Sequence, residues 1–151
     1  MSASQGRSPA PILLVAHLVA AVGGLGTVLA LVVLGLWGAS GAEPATVYPA
    51  MYVIESRLLR PLAVLALVSG VAIALTSGWG LLRHWWVTVK LGVTALAAIA
   101  VIFVLTPSLG QAAEAALAQD PGQVVGEGRR LGYAVVPATA ALILFVNAVL
   151  G

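Results

Sequence analysis

The sequence predicts an all-α membrane protein: a four-transmembrane-helix antiparallel bundle with a short surface helix between the third and fourth spans. Three observations predict it. Hydrophobic residues make up 61% of the chain and charged residues only 8%, where a soluble globular domain carries about 25% charged residues. The deficit runs over nearly the whole length, and the mean hydropathy is +1.08. Residues 12–37 form a 26-residue stretch with no formal charge, and about 20 apolar residues at 1.5 Å each cross a hydrocarbon core of roughly 30 Å. Three more uncharged or nearly uncharged runs follow. They set spans at about 12–37, 58–78, 85–106 and 131–150 within one integral membrane domain, residues 1–151.

The first span opens after Pro9 and Pro11, which suit a helix start. It is too long for the apolar core of a signal peptide and is expected to stay uncleaved. Small residues recur along it at helical spacing: Ala16, Ala20, Gly24, then Thr27 and Val28. Such stripes let helix backbones approach closely in lipid. His17 lies beside the stripe and is expected to face protein. Trp37 marks the far interface. A Gly/Ala/Ser loop follows, and then a helix near Pro49 that runs through Pro61. Its first third reads as amphipathic, with Met51, Ile54 and Leu58 on one side and Glu55 and Arg57 on the other. Pro61 is expected to kink the second span or begin its buried part.

The link after Ser77 is short, so the second and third spans are expected to be antiparallel neighbours. Trp79, Trp85 and Trp86 form an aromatic belt there, with His84 among them. Pro107 is expected to end the third span. Ser108 and Gln111 have the spacing of a capping box and open the short surface helix, which Asp120-Pro121-Gly122 closes. The fourth span carries Pro137 and Asn147.

Composition excludes several function classes. The absence of cysteine removes disulfides, thiolate metal sites, cysteine nucleophiles and c-type haem attachment. Only twelve charged residues are present, with no basic stripe, so nucleic acid is not an expected partner. The spans as drawn hold no carboxylate, and there is no Ser/His/Asp set. The expected location is the cell (plasma) membrane, multi-pass, with the bilayer as the main partner and a homo-oligomer or a second membrane protein as a further one.

Two ionisable residues lie within spans. His17 is five residues past Ile12 and Lys90 five past Trp85. Both helices enter from the side of the termini, so both groups sit about 7–8 Å below the same interface. Thr76, Thr88, Thr94 and Asn147 fall at similar depth, while the other leaflet reads as nearly all aliphatic. Intramembrane ionisable groups point to function by default. Each also has a plain alternative: Lys90 snorkelling to the headgroups, and His17 packing as a neutral, hydrogen-bonded ring. One histidine makes a poor zinc site, but an imidazole is an axial ligand to haem iron, and a lysine pairs with a propionate. His17 is therefore the candidate metal ligand, and His17 with Lys90 the candidate cofactor site, for haem b.

The order of features resembles the HemJ type of protoporphyrinogen oxidase, together with CopD-like proteins and an uncharacterised four-helix integral membrane family of actinobacteria. The residues that carry the resemblance are His17, Ile54-Glu55-Ser56-Arg57-Leu58, Gly78-Trp79, Trp86-Val-Thr-Val-Lys90-Leu91, and Arg130 with Val136-Pro137-Ala138-Thr139. It implies a haem-associated histidine at His17 and an activity-associated lysine at Lys90. The HemJ-type Arg-Leu-Phe-Val-Tyr-His stretch is replaced here by Trp37-Gly-Ala-Ser-Gly-Ala42, and its Asn-Glu before the fourth-span proline by Val135-Val136. What the resemblance carries over is thus haem or porphyrin binding in a redox-associated protein. The alternative from another class is a non-catalytic subunit or scaffold that associates through Gly/Ala helix faces.

Overall fold

The computed structural model describes residues 10–76 and 85–118, with 132, 133, 135–140, 142, 143 and 146 beyond them. Its elements are α1 (Ala10–Ala39), α2 (Pro44–Ile54), α3 (Arg60–Thr76), α4 (Trp85–Ala100) and α5 (Thr106–Leu117). A π-helical turn, Glu55–Leu59, fuses α2 to α3, and a second, Val101–Leu105, fuses α4 to α5. The result is three long rods. Helices over Pro11–Ala39, Pro44–Thr76 and Val87–Leu117 are long and apolar enough to cross a membrane. The described residues after 131 are helical, with no strand among the described residues. The predicted link at 77–84 with Trp79 and His84, the loop closing at Asp120-Pro121-Gly122, and Asn147 lie outside the described residues.

The first rod ends in a Schellman turn. Gly41 has φ of 101°, a conformation natural to glycine. Its N–H donates to Gly38 O at 3.3 Å and that of Ala42 to Trp37 O at 3.3 Å, which satisfies carbonyls the helix leaves open. Pro44 then starts α2 at a position where its missing N–H costs nothing. The turn sends the second rod back along the first. A Cβ built at Gly38 would lie against Val47, one at Gly23 against Leu62, and one at Gly70 against His17. Residues advancing along one rod meet residues receding along the other, which is an antiparallel register. The second and third rods pair likewise: α2 packs on α5 and α3 on α4.

The outside is as apolar as the inside, unlike that of a soluble protein. Val22, Val33, Leu75, Leu96 and Phe103 point outward, as a hydrocarbon solvent allows. Thr27, Glu55, Ser69 and Thr106 are buried. The core of Val28, Leu31, Val47, Tyr48, Met51, Leu105 and Leu109 lies toward the α1–α2 turn. The Tyr133 ring packs at 5.0 Å from that of Tyr48, and its hydroxyl donates to Ser108 O at 3.3 Å. The segment after 131 is thereby tied to α2 and α5.

Two expectations change. Pro107 does not end the third rod, and the segment after it is not a separate surface helix. Thr106, Leu109, Ala112, Ala113 and Ala116 are buried, and α5 packs on α2. The second rod begins at Pro44, well before the span drawn at 58. Its buried face is Met51, Glu55 and Leu59, while Leu58 is 52% exposed, so Glu55 shares a side with Met51 instead of opposing it.

Both proline effects have one cause. Proline lacks an N–H, and its ring presses on the carbonyl four residues back. For Pro61 that carbonyl belongs to Arg57, and for Pro107 to Phe103. Each is the third residue of a π-turn. Widening the turn relieves the clash and lets the helix continue. Arg60 N–H closes the first turn on Glu55 O, and Thr106 N–H the second on Val101 O.

The register of the first two rods is testable in this cysteine-free chain. A Cβ at Gly38 would sit 3.8 Å from Val47 Cβ, within the disulfide range of about 3.5–4.5 Å. The double variant Gly38→Cys, Val47→Cys is expected to oxidise to an intramolecular disulfide, read as a mobility shift. Gly26→Cys with Val47→Cys is expected not to. Equal cross-linking of both pairs would refute the register.

Candidate functional site

The sequence-predicted histidine sits on α1, one turn before Ala20, which is 1% exposed. The buried line continues through Gly24, Thr27, Val28 and Leu31. This is the small-residue stripe, and it brings α1 close enough to α3 for a side chain of one to reach the backbone of the other. His17 Nδ1 lies 3.1 Å from Ala66 O and 3.1 Å from Ser69 Oγ. The ring rests on Gly70, where an added Cβ would come within 3.2 Å of His17 Cε1. Gly70 is therefore the residue that admits the imidazole.

The partners decide the tautomer. A carbonyl oxygen only accepts, so a nitrogen 3.1 Å from Ala66 O must carry the proton. Ser69 agrees. Its hydroxyl donates to Leu65 O at 2.6 Å, and its oxygen is left to accept from Nδ1. The neutral ring thus has its lone pair on Nε2. An imidazole whose Nδ1–H is held by a backbone carbonyl is oriented as metal-binding histidines are.

Lys90 lies on α4, half-buried, with its carbonyl accepting from Thr94 Oγ1 at 2.9 Å. The register set by Glu55 with Thr106 and Tyr52 with Gly110, carried back along both rods, puts Lys90 at about the level of residues 71–72. That is within roughly one turn of Ser69. His17 and Lys90 are therefore carried by helices that both pack on α3, at similar height. The hydrogen bonds of His17 go to α3. Thr76 and Thr88 are exposed, and Thr76 Oγ1 returns to Ala72 O at 2.7 Å.

Comparison with known proteins returns no match: no family model, no curated protein and no solved structure corresponds to this chain. The chemistry must be read from the residues themselves. Among the described residues no three His, Asp or Glu side chains converge to hold a metal ion. A single oriented imidazole suits a metal whose other positions a macrocycle already fills, and does not suit a bare ion.

The sequence reading missed a second polar contact altogether. Glu55 is fully buried, and Thr106 Oγ1 lies within hydrogen-bond reach of its Oε1. The aliphatic half of the bundle is not purely aliphatic. The available signal was the repeated order of a polar residue, then proline: Arg60-Pro61 and Thr106-Pro107. In lipid a helix continues through such a proline, because ending there would strand backbone groups away from water.

The tautomer is directly measurable. In the chain labelled with ¹⁵N-histidine, with His84→Gln for assignment, His17 is expected to be protonated on Nδ1. Ser69→Ala should leave that unchanged, since Ala66 O remains. Gly70→Val should abolish it by displacing the ring. A proton on Nε2 in the unaltered chain would overturn the assignment.

Proposed function

We propose that this chain is a four-span, multi-pass protein of the plasma membrane, with residues 131–150 as the fourth span, and that His17 is the axial ligand of a b-type haem or related metalloporphyrin. The observation that supports it is the contact of His17 Nδ1 with Ala66 O. It orients the ring and reserves the Nε2 lone pair for a ligand. Lys90, at similar height on α4, is the partner for a propionate, a charge-assisted contact. Bound haem would supply one-electron chemistry. The chain's own part is to fix the imidazole, hold the carboxylate and exclude water with the surrounding Val, Leu and Ala side chains.

Haemin added to the detergent-purified protein is expected to produce a Soret band that His17→Ala removes. Lys90→Met is expected to weaken haemin binding about tenfold or more, the loss of one charge-assisted hydrogen bond of roughly 1.5–3 kcal/mol. A band that survives His17→Ala, or no band at any haemin supply, rejects the haem reading.

A second reading, association through a small-residue face, has its own supporting observation. A Cβ at Gly26 would meet nothing within 4 Å, and Gly26 and Ala30, one turn apart, are both exposed. The fold of a single copy does not need this glycine, whereas close approach of another helix does. If this reading holds, the protein is oligomeric in mild detergent and Gly26→Leu converts it to monomer, as read by cross-linking. A monomeric unaltered chain eliminates it.

A further inference from the structure

We propose that Glu55 is a neutral acid in the interior of the bundle and that Glu55, Thr106 and Arg60 form a proton-exchange site. Two independent observations assign the proton. The first is a count of hydrogens. Thr106 Oγ1 is within hydrogen-bond distance of two acceptors, Val101 O at 2.9 Å and Glu55 Oε1. A hydroxyl has one hydrogen, and Val101 O has none to give. Each contact is a full two-centre hydrogen bond, instead of half of a shared one, only if Glu55 supplies the second hydrogen, from Oε1. The chain is then Glu55 Oε1–H to Thr106 Oγ1, and Thr106 Oγ1–H to Val101 O.

The second observation is the other oxygen. Glu55 Oε2 is buried with no hydrogen-bond partner among the described residues, and Glu55 as a whole is 0% exposed. An ionised carboxylate would leave charge on an oxygen that no donor reaches, at a cost of several kcal/mol in lipid. The carbonyl oxygen of a neutral acid carries far less.

Arg60 makes the site exchangeable instead of static. Among the described residues its Nε is also buried without a partner, and it is the charged side chain whose field reaches Glu55. Together with Ser56, Arg57, Pro61 and Val64 it lines an open groove on the outer face of the second rod. When the Oε1–H bond breaks, the proton passes to water that reaches the carboxyl past Arg60. The Thr106 hydrogen turns from Val101 O to the carboxylate, and Arg60 balances the new charge. Val101 O stays satisfied, because the Thr106 N–H also donates to it. No electron moves and no other bond changes.

Among the described residues, the other elements leave this site to those three groups. α1 carries no titratable residue except His17, whose partner Ser69 is 14 residues from Glu55, about 21 Å along the rod. α2 contributes Tyr48 and Tyr52, α4 contributes Lys90 in its first half, and α5 contributes Glu114, which is exposed. The second π-turn, Val-Ile-Phe-Val-Leu, is wholly apolar.

The test is infrared spectroscopy of the full chain in lipid, carrying ¹³C-labelled glutamate. The expected result is the carbonyl band of a protonated glutamate at neutral pH. The band should vanish reversibly as pH is raised, be absent in Glu55→Gln, and shift in Thr106→Val. In Arg60→Met it should persist at the alkaline pH where the unaltered chain has lost it. If Glu55→Gln fails to fold, the chain with Glu43, Glu114 and Glu127 all changed to Gln leaves Glu55 the sole glutamate and gives the same assignment. A glutamate signal that is ionised throughout overturns the proposal. So does a protonated band that never titrates while the helices stay folded, for Glu55 is then only a clamp.

Discussion

A proline inside a long helix withholds one amide and presses on the carbonyl four residues before it. Most of what is distinctive in this bundle descends from that constraint, met twice. Pro61 and Pro107 lie two residues past π-turns of equal length. Each turn widens around the carbonyl that proline would strike. Each also inserts an extra residue, which rotates everything before it relative to everything after it. On the second rod this brings Leu59, in place of Leu58, onto the buried face of Met51 and Glu55. On the third it places Thr106 over the same spot and lets the helix carry a buried face on through Ala116. The two relaxed turns face each other, so a deviation that would be costly alone becomes the place where the rods are joined by a polar contact.

Long rods were legible in the residues because hydrocarbon imposes one requirement, a run of apolar side chains without charge. A short link gave the second and third spans as antiparallel neighbours, and the small-residue stripe on α1 named its packing face. What the pattern did not reveal was continuation through Pro107, or the burial of Leu59 in place of Leu58. Both depend on how a helix accommodates proline. In water, Ser108 and Gln111 would read as a fresh helix start, because a chain may stop and restart where solvent satisfies its backbone. Within a bundle of this composition, interruption leaves carbonyls unpaired, and a π-turn is the smaller cost. The periodicity of 3.6 then no longer holds across residues 55–59, and a side assigned by counting through them is the wrong side.

The candidate histidine was legible for a simpler reason. His17 stands beside Ala16, Ala20 and Gly24, and only small neighbours let a ring reach the facing backbone. Its acceptor could not be read, since Ala66 contributes a carbonyl and any residue has one. Nor could Gly70, one glycine among seventeen, be singled out until the rods were in register. Lys90 is the opposite case. Its height follows from counting along the third span, whereas the direction of a long flexible stem depends on neighbours that counting does not supply.

The polar groups of the bundle fall into two energetic kinds. The hydroxyls of Thr27, Thr76, Ser108 and Thr139 each return to a carbonyl four residues back in their own helix. Such a bond hides a polar atom in lipid without demanding anything of another element. His17 and Glu55 instead reach from one rod to another, and each leaves one polar atom over, Nε2 on the first and Oε2 on the second. A group that serves only packing has no need of a second valence. An imidazole and a carboxyl in a low-dielectric interior are the more expensive choices than the amides or hydroxyls that would clamp helices equally well. What distinguishes them is chemical capacity: an imidazole can share a lone pair with a metal, and a carboxyl can release a proton. The second rod serves both, with Ala66 and Ser69 on one side of Pro61 and Glu55 on the other.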